Sequence, residues 1–176
     1  MITLKGDTCY LRALEPDDLD FLYTLENDEK VWEVSETVTP YSKFVLKEYL
    51  ANSHRDIYEV KQLRLAICDY QHKLLGFIDL FDFNPKNKRA GVGIVILEQE
   101  NRNKGVGRAS LTLLINYAFE VLDLHQLFAN INETNEASIH LFSSLGFEKI
   151  GLKKDWVSRG GTYYNELMFQ KINHVH

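Results

Sequence analysis

Arg102-Asn103-Lys104-Gly105-Val106-Gly107, followed by Arg108, separates an apolar run from an amphipathic one. Two glycines one residue apart remove the Cβ atoms that would hold a bulky anion off the backbone. If they open a helix, its first N–H groups are unpaired and its N-terminus carries about half a positive charge. Arg102, Lys104 and Arg108 add cationic side chains to a chain whose formal net charge is −5. Such a segment suits a phosphate or diphosphate. It also fits a plain strand-to-helix turn with solvated basic residues, and the glycines alone do not separate the two. A dinucleotide G-x-G-x-x-G site is disfavoured because Ser110 stands where the third glycine would be. A Walker A loop is excluded because no Gly-Lys-Ser/Thr occurs.

A second chemistry needs carboxylates. Asp79 and Asp82 lie in Leu74-Leu75-Gly76-Phe77-Ile78-Asp79-Leu80-Phe81-Asp82, where strand propensity does not favour them. A carboxylate can ease removal of a proton from an ammonium, a step that costs a lysine-like amine roughly 4–5 kcal/mol at pH 7. Asp79 reads either as such a group or as an ion-paired structural one. Asp82 reads as a turn residue at a strand end. Glu33 and Glu36 suit a cation or the solvent. Cys68 reads as core rather than as a nucleophile. His125 and His140 read as surface or capping residues. Trp32, Trp156, Tyr163 and Tyr164 could line a pocket, although strand aromatics belong to the core more often.

These residues need elements to position them. Residues 8–13 alternate as a strand. Pro16 after Glu15, with Asp17 and Asp18 in the first turn, starts a helix to about residue 27. Residues 27–41 read as irregular and 42–52 as a second helix. Strands are expected at 63–68 and 74–81 around a hairpin loop, and at 91–97 after a turn at 84–88. Leu111, Leu114, Ile115, Ala118, Phe119 and Leu122 form one stripe, which predicts a helix over 105–122. A strand at 127–131, a helix at 135–145 closed by Gly146, and strands at 147–157 and 162–170 follow. The order βααβββαβαββ predicts an α/β fold: a mixed, mostly antiparallel sheet of about six or seven strands with helices on both faces.

The 176 residues suit one domain, expected over residues 1–172 with a short tail after it. A hydrophobic share of 45% supports a real core. The longest apolar run, Ile94-Val95-Ile96-Leu97, is too short for a bilayer span. Residues 1–7 lack the layout of a signal peptide. Cys9 and Cys68 have no metal-like spacing. A cytoplasmic protein with reduced thiols, and neither a metal site nor a membrane partner, is expected. The acidic balance, with a pI of about 5.7, disfavours a nucleic-acid partner and suits a cationic one.

Arg102 to Gly107 matches the Gln/Arg-x-x-Gly-x-Gly/Ala signature of the GNAT acetyltransferase superfamily, and the chain resembles that family over nearly its whole length. Tyr10-Leu11-Arg12-Ala13-Leu14-Glu15-Pro16-Asp17-Asp18 resembles the family's opening strand and turn. Asn135-Glu136-Ala137-Ser138-Ile139-His140-Leu141-Phe142-Ser143-Ser144-Leu145-Gly146-Phe147 resembles its fourth helix. The resemblance implies an acetyl-CoA-dependent N-acetyltransferase in which a primary amine attacks the thioester directly. It implies that backbone N–H groups of Arg102, Asn103, Lys104, Gly105, Val106 and Gly107 hold the pyrophosphate, with Arg108 beside them. It implies that Ile96 and Leu97 end a strand splayed from the next, that pantetheine lies in the gap, and that one N–H polarises the thioester carbonyl like an oxyanion hole. Asn135 matches a pantetheine contact and also reads as an N-cap.

The family often places a tyrosine acid seven residues after that asparagine. Here the residue is Phe142, which has no proton to give, so water must protonate the departing thiolate. For a thiol pKa near 8.5 that cost is modest. Asp79 and Glu36 are the expected aids to the amine, since residues near Glu33 and Glu36 border the acceptor pocket in relatives. The pattern is most similar to the branch of spermidine and diamine acetyltransferases and ribosomal-protein N-terminal acetyltransferases. The acidic residues favour a small polyamine or diamine. The alternatives are a peptide or protein N-terminus, or a catalytically weak acyl-CoA-binding module. Many relatives form homo-oligomers, but no stretch here decides oligomeric state.

Overall fold

Alternation along Leu63–Cys68 sends Leu65 and Ile67 to one side and Ala66 and Cys68 to the other, and all four are buried. A strand apolar on both faces must be covered on both. In the computed structural model, which describes residues 4–97 and 105–175, two separate cores do so. One packs Leu65, Ile67, Ile78 and Leu80 against Leu111, Leu114 and Ala118 of a long helix. The other packs Ala66, Cys68 and Phe77 against Leu22, Leu25, Val31, Leu46 and Leu50 from N-terminal helices.

The strands are β1 (Tyr10–Arg12), β2 (Leu63–Cys68), β3 (Leu74–Asn84), β4 (Arg89–Ile96), β5 (Gln126–Asn132), β6 (Glu148–Arg159) and β7 (Thr162–Ile172). The helices are α1 (Leu19–Glu26), α2 (Glu29–Ser35), α3 (Lys43–Ala51), α4 (Ile57–Val60), α5 (Val106–Glu120) and α6 (Glu136–Ser144), with a 3-10 turn at Pro16–Asp18 before α1. The seven strands lie in the order β1-β2-β3-β4-β5-β7-β6. Every pairing is antiparallel except β4 with β5. No helix among the described residues is long and apolar enough to cross a membrane.

Two helices depart from the expected order. Residues 27–41 hold α2, started by Asp28, whose side chain accepts from the Lys30 N–H at 2.9 Å. Asp56 starts α4 in the same way, accepting from the Tyr58 N–H at 2.7 Å. Both are too short for an apolar stripe, so their caps define them better than their periodicity does. β3 also runs past its expected end at residue 81. Asp82 sits there in an irregularity of the β3–β4 register with φ of 47°, exposed, rather than in a turn after the strand.

Gly91 shows why β4 is glycine-containing. Phe81 of β3 lies directly across from it, and a Cβ on Gly91 would meet that ring at 2.3 Å. The bare backbone lets Phe81 reach over β4 to Phe128 of β5, with ring centres 5.6 Å apart and nearly perpendicular.

Candidate active site

β4 and β5 pair only from Arg89 to Gly91 against Gln126 to Phe128. Beyond that each follows its other neighbour. β4 stays with β3 as far as Ile96 opposite Gly76, and β5 stays with β7 as far as Asn132 opposite Glu166. The two strands therefore part, and a cavity of about 320 Å³ opens between Val92, Gly93 and Ile94 on one lip and Ala129, Asn130 and Ile131 on the other. Asn135, Ser138 and Phe142 of the α6 region line it from one face of the sheet. Glu33, Glu36, Arg159 and Glu166 line it toward the opposite face. The slot thus joins the two faces, so a ligand on each could meet within the sheet.

The α6 side sets one aromatic ring among uncharged polar groups, Phe142 beside Asn135 and Ser138. Phe142 is buried and packs edge-on against Phe147, with ring centres 5.1 Å apart. Asn135 caps α6, its Oδ1 accepting from the Ser138 N–H at 3.2 Å, and it lines the slot as well. Asn132 Oδ1 accepts from both the N–H and the hydroxyl of Thr134, at 3.0 and 2.7 Å. A backbone N–H can only donate, which fixes that atom as oxygen and leaves Nδ2 as the free end. Asn132 Nδ2 and Arg159 Nε are buried without a partner among the described residues, and both residues line this slot. Buried donors lacking acceptors are expensive. A ligand with carbonyl oxygens, such as pantetheine, fits the need of Asn132 Nδ2.

At the start of α5, Gly105 adopts the left-handed region with φ of 75°, and a Cβ there would meet nothing within 4 Å among the described residues. Gly107 is different: its Cβ would touch Leu141 at 3.3 Å and Ile96 at 3.7 Å, so it lets α5 close onto α6 and the end of β4. Val106 is buried. Arg108 is tied down, its Nη1 donating to Ser144 Oγ at 2.7 Å. Ile96 joins the α5-side core, whereas Leu97 packs with the α1–α3 core and donates its N–H to the Leu75 carbonyl at 3.2 Å. Arg102, Asn103 and Lys104 lie outside the described residues.

Among the expected carboxylates, Glu36 borders the slot. It ends α2 in the left-handed region, and its side chain has no hydrogen bond or ion pair among the described residues. Glu33 also borders it, 3.6 Å from Arg159 Nη1. Asp79 is held instead. Both its oxygens accept from Arg64, at 2.6 and 3.1 Å, and Arg64 also donates to Glu26 at 2.8 Å. That is the ion-paired role weighed for Asp79 from the sequence. Asp79 is still near the slot, because a Cβ on Gly93 would stand 4.0 Å from its Oδ2.

Glu166, Arg159 and Asn132 were not singled out from the sequence. Glu166 carried the same signal as Asp79, an acid amid the apolar residues of a strand. It is held by Lys153 at 3.2 Å. Trp32 and Trp156 line a second, adjoining cavity rather than the core.

Residues 9–148 match the acetyltransferase (GNAT) domain. The chain belongs to the GNAT acetyltransferase family. It is 30% identical to a spermidine N(1)-acetyltransferase of Vibrio cholerae over 141 residues, 80% of this chain and 79% of that one. It is 29% identical to the spermidine N(1)-acetyltransferase of Escherichia coli over 93% of this chain and 86% of the relative. The crystal structure of the Vibrio cholerae spermidine N-acetyltransferase in complex with CoA and spermine superposes with a TM-score of 0.82 at 27% identity, covering 93% of this chain and 95% of that one. The GNAT chain described here is accordingly an N-acetyltransferase that uses acetyl-CoA as its acyl donor.

Proposed function

We propose that this acetyltransferase acts on a polyamine or diamine. The observation that carries the reading is the set of three carboxylates, Glu33, Glu36 and Glu166, bordering a slot whose other end carries no charged side chain among the described residues. The names of the relatives support it. In this reading acetyl-CoA enters from the α6 side. The N–H groups of residues 102–107 hold its pyrophosphate, with Arg108 bracing α5 against α6. Asn132 and Asn135 meet its pantetheine arm, and Ile96 and Leu97 border the thioester. The amine enters from the α2 side. Glu36, a carboxylate without a partner among the described residues, steadies the ammonium and takes part in its deprotonation, while Asp79 keeps Arg64 in place. Phe142 leaves protonation of the thiolate to water.

The same reading includes self-association, since the Vibrio cholerae relative is described as dodecameric, and a cytosolic location, where the buried free thiols of Cys9 and Cys68 would remain reduced.

The test is release of free thiol from acetyl-CoA with spermidine, putrescine, amino acids and N-terminal peptides as acceptors. Turnover with the polyamines and not the peptides is expected. Turnover with peptides alone would move the assignment to Nα-acetylation. Tight acetyl-CoA binding with no turnover on any amine would leave an acyl-CoA-binding module.

A further inference from the structure

Beyond the slot, on the α2 side, lies a second cavity of about 510 Å³. Trp32 and Trp156 are among its walls, and it shares Glu33, Glu36 and Arg159 with the slot, so the two chambers adjoin. Nothing in acetyl transfer itself calls for this outer chamber. Its lining combines indole rings with carboxylates, which is what a desolvated ammonium prefers.

The chamber already holds a cation of the chain's own, Arg159. Arg159 Nη1 lies 3.6 Å from Glu33 Oε2, and its guanidinium lies 5.4 Å from the Tyr164 ring centre. Outside the chamber's lining, Lys153 Nζ lies 4.9 Å from the ring centre of Trp156 and pairs with Glu166. The Arg159–Glu33 contact is loose. It is longer than a hydrogen bond, and its side chains are 29% and 59% exposed. Arg159 Nε has no acceptor at all among the described residues. A pair so exposed is easily exchanged for another cation.

We propose that the outer chamber is a subsite for the second positive charge of a di- or polyamine, and that Arg159 is a built-in cation which this charge displaces from Glu33. The reactive amine then occupies the slot while the distal ammonium lies between the two tryptophans. This proposal rests on the polyamine reading for its substrate class, but its test has a readout independent of turnover.

Trp32 and Trp156 are the two tryptophans of the chain, so intrinsic fluorescence reports on this chamber directly. Putrescine and butylamine share a four-carbon chain and differ by one charge. The full-length protein and its Glu33→Gln and Arg159→Gln variants, checked for folding by circular dichroism, are titrated with each amine and assayed for acetylation. Putrescine is expected to change the emission saturably and at about fivefold lower concentration than butylamine, the scale of one exposed ion pair. Glu33→Gln removes that preference, and Arg159→Gln enlarges it by freeing Glu33. Equal responses to the two amines, or a weaker putrescine preference in Arg159→Gln, overturn the subsite. Acetylation of putrescine with no change in emission also overturns it while leaving the activity standing. A saturable, charge-dependent response without acetylation supports the subsite and removes the polyamine reading of the activity.

Discussion

Arg64 grips Asp79 at two points across β2 and β3, Nε donating to Oδ1 at 2.6 Å and Nη2 to Oδ2 at 3.1 Å. The strand register places the two residues opposite one another, and each side chain is 17% exposed. Nη1 of the same guanidinium reaches Glu26 at the end of α1. The Glu26 carbonyl in turn accepts from Trp32 Nε1 at 2.6 Å. Arg64 therefore joins the sheet to the helices that carry Glu33 and Glu36.

Removing one partner of a largely buried pair leaves the other charge uncompensated. Asp79→Asn is expected to lower stability by about 2–4 kcal/mol in denaturant unfolding. If Asp79 only holds Arg64 and Glu36 meets the amine, as proposed, the pH profile of kcat/KM should keep its midpoint. An upward shift of that profile in a folded variant would return proton transfer to Asp79.

Asp18 gives a pH-dependent prediction. Burial pushes its carboxyl up, but hydrogen bonds from Arg12 and from the Glu15 N–H, together with the Arg12 charge, outweigh burial and hold it below the usual carboxylate range. Arg12 contacts it at 2.8 and 2.9 Å and the Glu15 N–H at 2.8 Å, and the side chain is 5% exposed. A carboxyl depressed in the folded state stabilises above its unfolded value of about 3.9, and that contribution is lost as pH falls through the folded value. Asp18→Asn should cost about 1–3 kcal/mol at pH 7. The gap between variant and wild type should close progressively below about pH 4. A gap of constant size from pH 7 to pH 3 in urea unfolding would mean that the ion pair contributes nothing.

Much of the scaffold could be read because its elements carry long patterns. The stripe from Leu111 to Ala118 is buried in α5, and the alternation of β2 survives intact. α2 stayed hidden because Val31 is its only buried residue, although Asp28 two residues before Lys30 was a readable cap. The slot itself is a property of register. No residue type announces that β4 and β5 part after Gly91. Asp79 could be flagged as out of place in a strand, but its partner could not, since pairing with Arg64 depends on how β2 meets β3. Arg159 falls in the connection between the expected strands at 147–157 and 162–170, where nothing in its type marks it. Its place on the slot depends on how β6 pairs with β7, where the register shifts between Lys153 and Val157.

Phe142 occupies the position at which relatives often carry a tyrosine, and it lines the slot from within α6. Phe142→Tyr adds one oxygen at a site that is 3% exposed. If that hydroxyl reaches the leaving sulfur, kcat should rise by about tenfold or more, the low end of what a positioned acid contributes being larger still. The KM for acetyl-CoA should stay within about twofold, since one hydroxyl offered to the leaving group leaves ground-state binding nearly unchanged. Steady-state kinetics with the best acceptor check this. An unchanged kcat in a folded variant would mean that chemistry is not limited by thiolate protonation.

Gly105 and Gly107 separate the two uses of glycine in the cofactor loop. Gly105 needs its residue type for backbone conformation, with φ of 75° and nothing among the described residues within 4 Å of where a Cβ would be. An L-residue in that region costs about 1–2 kcal/mol, so Gly105→Ala should fold with a small loss of stability. Its methyl would project into the space at the α5 N-terminus where the pyrophosphate is proposed to lie. The KM for acetyl-CoA should then rise several-fold while the KM for the amine is unchanged. Gly107→Ala presses on Leu141 at 3.3 Å instead. Overpacking of that kind costs about 1–3 kcal/mol and should appear first in thermal unfolding, because α5 and α6 are forced apart. The contrast between the two variants is the test. If Gly105→Ala leaves the KM for acetyl-CoA untouched, the α5 N-terminus is a helix start only and the pyrophosphate binds elsewhere.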